Sequence, residues 1–187
     1  MQIGESMQTV KTLEKRYGKE REMRRIPVAL SNGKDIKLLM GRQNVLVKKV
    51  IADFCPLYSP AGHVLYVSGT EKKWSYLDSD ALTELGLAIE EHGKMPDIVV
   101  HHREKNWLFL IEAVINRGPI SPKRRQELKE LFAGSKSGIV YVTAFLDRRA
   151  MMKYFDDIAW KTEVWIAESP THLIHFNGKQ LLGPYED

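Results

Sequence analysis

The sequence predicts an α/β fold with a mixed central sheet flanked by helices, and three stretches carry that expectation. Ile98 to Val100 and Trp107 to Ile115 read as two strands joined by the polar turn Arg103-Glu104-Lys105-Asn106, an antiparallel pair. Alternation places Trp107, Phe109, Ile111, Ala113 and Ile115 on one face of the second strand and Leu108, Leu110, Glu112 and Val114 on the other. Both faces are apolar, so the strand is central. A helix start at Ser121-Pro122 follows, and then a further apolar run, Gly138 to Phe145. Strand, helix and strand at this spacing suggest a right-handed parallel crossover, which makes the sheet mixed.

At 187 residues, 43% hydrophobic and 28% charged, the chain is expected to bury the core of one ordinary domain. No apolar run approaches the roughly 20 residues of a membrane span, and the first residues lack the apolar core of a signal peptide, so a cytoplasmic location without membrane association is expected. The single cysteine, Cys55, excludes an internal disulfide; between Phe54 and Pro56 it reads as core. A net charge of +4 is compatible with a nucleic-acid partner without requiring one.

Residues 1–25 are dense in charge, with only Val10, Leu13 and Tyr17 as a thin apolar stripe, and read as a helical arm or linker ahead of a domain over 26–187. Ile26 to Leu30 and Lys34 to Leu39 flank Asn32-Gly33, a hairpin signal. Val45, Leu46, Val50, Ile51 and Phe54 recur at helical spacing, predicting a helix over about 43–54 that Pro56 ends. Val64 to Val67 is a short strand. Leu82, Leu85 and Ile89 predict a helix over about 80–92 stopped by Gly93. Glu90 and Glu91 fall in its last turn, an unfavourable end for anions, so one of them, Glu91 in particular, is a candidate additional acid. Ser121 as N-cap and Pro122 at the first position open a helix that turns Leu128, Leu131 and Phe132 inward and ends near Gly134. Asp147 caps a helix through about Phe155 that exposes Arg148, Arg149 and Lys153. Thr162 to Ala167, Leu173 to Phe176 and Gln180 to Leu182 are the remaining strand candidates, with Asn177-Gly178 as a second hairpin turn.

A four-residue loop over 103–106 pairs His102 with Trp107, and counting back along both strands sets Asp97 opposite Glu112. Opposed residues on one face of an antiparallel pair have Cβ atoms roughly 4.5–5.5 Å apart. Two carboxylates at that separation repel unless a proton or a divalent cation lies between them. The residues alone leave two readings: a strand-start cap and a structural ion pair, or a metal or acid/base site. Lys123 likewise either reaches back to the carboxylates or pairs with Glu127 at i,i+4.

Other chemistry lacks its signatures. There is no phosphate-binding glycine loop, hence no nucleotide cofactor, and no nucleophile elbow. His101 and His102 point to opposite faces of a strand, and His172 and His175 lack a third ligand for zinc.

Pro96-Asp97, fourteen intervening residues and Glu112 on an apolar strand, followed by helix and strand, resemble the PD-(D/E)XK nuclease superfamily. The wider text is similar to the catalytic region of the BsuBI/PstI family of type II restriction endonucleases over about 27–187: H-G-K-M-P-D (92–97), W-L-F-L-I-E-A-V (107–114), G-P-I-S-P-K-R (118–124), V-Y-V-T-A-F-L-D-R-R (140–149) and T-E-V-W-I-A (162–167). The resemblance implies a restriction-endonuclease-like core. It also implies Mg²⁺-dependent hydrolysis of phosphodiesters in double-stranded DNA by a homodimer cutting within a short palindrome. Asp97 and Glu112 would hold the Mg²⁺. A repair or structure-specific nuclease of the same superfamily, or a DNA-binding relative without turnover, are the alternatives.

The superfamily pattern has lysine two residues after the glutamate, and here that position is Val114. A substitute cation is expected, Lys123 first, then Lys94 or Arg117; otherwise the site works with metal alone or is inactive. Lys123, Arg124, Arg125, Arg148 and Arg149 are candidates for phosphate contacts, which position DNA but carry no sequence information. Family members carry an additional N-terminal DNA-binding region, which this chain is expected to lack or to retain only as the arm at 1–25.

Overall fold

The structure, a computed structural model, describes residues 24–70, 72–87, 94–176 and 182–184. Residues 1–23 of the arm expected over 1–25, Glu90, Glu91, the Asn177-Gly178 turn and Gln180 lie outside the described residues, and Arg25, assigned to that arm, instead opens the first strand.

The first two strands, β1 (Arg25–Ala29) and β2 (Asp35–Leu39), form an antiparallel ribbon around the expected turn. Gly33 takes the left-handed conformation there, with φ at 78°. The helix α1 (Arg42–Lys49) follows, then a widened turn (Val50–Phe54) and a last helical turn, α2 (Cys55–Tyr58). Pro56 was expected to end this helix, yet the chain stays helical to Tyr58. Pro56 has no N–H to give Ala52; the widened turn before it lets the Cys55 N–H bond Val50 instead.

The remaining strands are β3 (His63–Ser68), β4 (Trp74–Leu77), β5 (Ile98–His102), β6 (Trp107–Val114), β7 (Gly138–Phe145), β8 (Glu163–Ile166) and β9 (Leu173–His175). They make one seven-stranded sheet in the order β4-β3-β5-β6-β7-β8-β9. The β6/β7 and β7/β8 pairs are parallel and the others antiparallel, so the sheet is mixed as expected. Strand β4, too short and too exposed at Trp74 and Ser75 to show alternation, was not anticipated.

Central β6 is buried on both faces. Phe109, Ile111 and Ala113 pack with Leu46, Val47, Val50 and Phe54 of the α1 segment, where the Phe54 ring meets Phe109 at 5.9 Å and Trp165 at 5.7 Å. Leu108 and Leu110 pack on the opposite side with Leu82, Leu128 and Phe132. Helix α3 (Ser79–Glu84) ends eight residues short of the expected 92. Gly86 stops it with φ at 82°: its N–H bonds Thr83 O and the next N–H, of Leu87, bonds Leu82 O, the paired closure of a glycine C-terminus.

Helix α4 (Pro122–Leu131) starts where Ser121 accepts the Arg124 N–H at 3.2 Å. Ser121→Ala is expected to lower stability by about 1 kcal/mol, a melting-temperature loss of roughly 2–4 °C by calorimetry. Helix α5 (Arg148–Met152) is capped by Asp147, which accepts from Ala150 N at 2.7 Å. It stops at Met152 rather than Phe155, and the chain tightens into a 3₁₀ turn over Phe155–Asp157.

Candidate active site

Strands β5 and β6 run in register from Ile98 opposite Ile111 to His102 opposite Trp107, so the next pair beyond the ladder is Asp97 against Glu112. The loop has the expected four residues. Asn106 closes it at φ 50°, a conformation asparagine tolerates better than most side chains.

Asp97 is 9% exposed and richly held. Its Oδ2 accepts from the Ala113 N–H at 2.9 Å and from Gln43 Nε2 at 3.0 Å, and its Oδ1 accepts from Ser68 Oγ at 3.1 Å. Gln43 also donates to Ala113 O at 2.8 Å, so the first turn of α1 ties Asp97 to the edge of the Glu112 strand. Such donors fix the orientation of the carboxylate.

Glu112 is differently placed. Burial pushes its carboxyl up to about 7, and the adjacent negative charge of Asp97 and a hydrogen bond with it push the same way, against the pull of the Arg124 guanidinium. Arg124 Nε donates to Glu112 Oε1 at 2.7 Å, and Nη2 pairs with the same oxygen at 2.6 Å. The donor set fits a hard divalent cation: two carboxylates side by side at a sheet end, one of which resists ionising because it is buried beside the other. Among the described residues, no group of three or more His, Cys, Asp or Glu comes together. Mg²⁺ commonly takes one or two carboxylates and keeps several waters, which two side-by-side acids suit.

The other expected residues fall in different places. Lys123 is 88% exposed at its side chain and stands 4.0 Å from Glu127, the i,i+4 alternative, rather than reaching the carboxylates. The cation on Glu112 is Arg124, its neighbour, expected only as a phosphate contact. Arg125 lies over the Tyr141 ring at 5.1 Å. Arg148 pairs with Glu168 at 3.5 Å and is exposed, as is Arg149. Lys94 and Arg117 are exposed as well, and it is the Lys94 carbonyl, not its ammonium, that touches the site. Val114 is 2% exposed among Phe145, Met151 and Ile158.

Gln43, Ser68 and the role of Arg124 were not anticipated. Gln43 lies three and four residues before Leu46 and Val47, a polar side chain on the buried stripe, and that placement was the available signal. His175, His102 and the cysteine have structural settings. His175 pairs with the fully buried Glu163, His102 is 3% exposed beside Trp107, and burial pushes the Cys55 thiol up to about 12.

Comparison with known proteins places this geometry in context. The family described as the BsuBI/PstI restriction endonuclease domain matches residues 26–179. Type II restriction enzyme BsuBI of Bacillus subtilis is 50% identical over 175 residues, 94% of this chain and 55% of that protein. Type II restriction enzyme AplI of Arthrospira platensis is 32% identical over 178 residues, 91% of this chain and 55% of that protein. The structure of SdaI restriction endonuclease superposes with a TM-score of 0.83 at 41% identity, covering 94% of this chain and 55% of that one. The chain thus spans about half the length of the relatives it matches.

Proposed function

The chain belongs to the BsuBI/PstI restriction endonuclease family, and from that premise we propose that it carries the catalytic site of a type II restriction endonuclease. The reaction is Mg²⁺-dependent hydrolysis of phosphodiester bonds in double-stranded DNA at a short palindromic site. The observation that carries the proposal is the opposed pair Asp97 and Glu112 at the end of the β5/β6 ladder, one held by three hydrogen-bond donors and the other crowded into resisting ionisation.

Mg²⁺, when bound, lowers the pKa of an attacking water and offsets charge developing on the phosphate. The chain supplies the frame. Asp97 presents a carboxylate whose rotamer is fixed by Gln43, Ser68 and the Ala113 N–H. Glu112 presents a second, oriented through Oε1 by Arg124. Arg148 and Arg149, exposed on α5, are proposed as contacts to DNA phosphates. A homodimer matches a two-fold site by symmetry, and a cytoplasmic location is proposed with it, where such an enzyme meets its DNA. No helix among the described residues is long and apolar enough to cross a membrane.

The test is incubation with long mixed-sequence duplex DNA in Mg²⁺ and in EDTA, resolved on a gel. Discrete fragments that require Mg²⁺ are the expected result. Intact DNA in both, from a chain that binds duplex, would leave a DNA-binding relative without turnover.

A further inference from the structure

We propose that Arg124 is the positioning residue of the metal site, a single guanidinium that fixes both carboxylate-bearing segments at once. This inference rests on the metal-dependent reading above.

The geometry has two arms. On one side, Arg124 Nε and Nη2 converge on Glu112 Oε1 at 2.7 and 2.6 Å. Both contacts, one hydrogen bond and one ion pair, are to Oε1, so Oε2 is the oxygen Arg124 leaves to a cation. On the other side, Nη2 donates to Lys94 O at 3.0 Å and to Met95 O at 3.2 Å. Those two carbonyls immediately precede Pro96-Asp97, and the proline ring restricts the backbone between the anchored carbonyl and the acid. The clamp therefore sets how the Asp97 segment approaches β6. A third contact, Nη1 to Glu127 Oε2 at 3.3 Å, and the cap bond from the Arg124 N–H to Ser121 steady the residue on the first turn of α4.

Only a planar fork with several donors can hold this set. A lysine ammonium is a point charge and cannot span Glu112 and the 94–95 carbonyls together. The residue is also largely withdrawn from solvent, its side chain 18% exposed, so its donors are committed to the protein rather than offered to a substrate. Arg124 thus does a different task from the lysine of the superfamily pattern. It does not meet the scissile phosphate but keeps the two ligands at one spacing, a support whose loss typically costs metal sites roughly 10–100-fold in affinity or activity.

The experiment titrates the full chain with Mn²⁺, which takes the same oxygen donors as Mg²⁺, without DNA, and reads binding from loss of the free-ion EPR signal. Arg124→Met is expected to weaken Mn²⁺ binding by about 10-fold or more. Arg124→Lys should recover part of the loss, and Lys123→Met should match the parent within about twofold. A residue that serves stability alone would lower the melting temperature of Arg124→Met and leave the Mn²⁺ affinity unchanged; that outcome overturns the proposal. Should Arg124→Met fail to fold, Arg124→Lys decides, and parental affinity in it overturns the proposal equally. A parent chain that binds no Mn²⁺, or a Glu112→Gln variant that binds it as tightly as the parent, would instead remove the metal-dependent reading itself.

Discussion

Glu112→Gln is expected to abolish Mg²⁺-dependent cleavage, with single-turnover rates at least roughly 10³-fold below the parent, while the circular dichroism spectrum stays unchanged. The substitution is nearly isosteric. The Gln carbonyl oxygen can still accept from Arg124, which in any case keeps its bonds to Lys94 O, Met95 O and Glu127. What disappears is the anionic pair facing a cation. Several kcal/mol of metal and transition-state stabilisation go with it, at about 1.36 kcal/mol for each tenfold in rate. Asp97→Asn should cost as much in rate, but it disturbs the frame too. Asp97 accepts from three donors, and an amide group must turn its NH₂ toward one of them. Because the two acids serve one ion, the double variant should be no slower than either single one. Cleavage within about tenfold of the parent by Glu112→Gln would place the reacting centre elsewhere in the chain.

The register that makes this prediction possible was open to reading in the sequence because it rests on local rules. A four-residue polar turn, two runs of β-branched and apolar residues and strict alternation fix which residue opposes which, and the observed His102–Trp107 pair is the one those rules require. Ser121-Pro122 and Asp147 announced their helices for the same reason: a cap is a side chain bonding a backbone group a few residues away. The misplaced boundaries belong to positions where a local signal was outweighed or misread. Gly93 was read as the helix stop, whereas Gly86, seven residues earlier, adopts the left-handed closure of α3. Pro56 was read as a terminus, although a widened turn absorbs its missing donor.

The cation on Glu112 shows where sequence reasoning could have gone further. Successive helix residues are rotated by about 100°, so Lys123 and Arg124 look in different directions. Leu128 was already assigned to the core, and Arg124 lies one turn before it on the same stripe, whereas Lys123 shares its stripe with Glu127. Helical phase alone therefore favoured Arg124. By contrast, the convergence of Gln43, Ser68 and Ala113 on Asp97 joins α1, β3 and β6 across long sequence separations, and only the assembled sheet reveals it.

Glu112→Gln is also expected to stabilise the metal-free chain at about pH 8, by on the order of 2 kcal/mol, or roughly 4–8 °C in melting temperature. The sign follows from the direction of the shift. Burial and the neighbouring Asp97 raise the Glu112 carboxyl from its ordinary value to about 7 in the folded state. The native chain then holds that proton more tightly than the unfolded chain does. The associated stability is fully present below the unfolded value, declines as pH rises through the window, and is gone above about 7. Glutamine carries no charge to desolvate, so its advantage over glutamate should be small near pH 4.5 and full near pH 8. Mg²⁺ is expected to reverse the order, binding the folded parent and raising its melting temperature by mass action while doing little for the variant. Melting curves of the two proteins between about pH 5 and pH 8, in EDTA and in Mg²⁺, read both effects at once. If the two proteins melt together at every pH in EDTA, the repulsion between Asp97 and Glu112 is absent and a cation is not what the pair is built to hold. If the variant gains stability in EDTA and loses the response to Mg²⁺, the cost of crowding two acids at one sheet end is the cost of the metal site, stability given up for function.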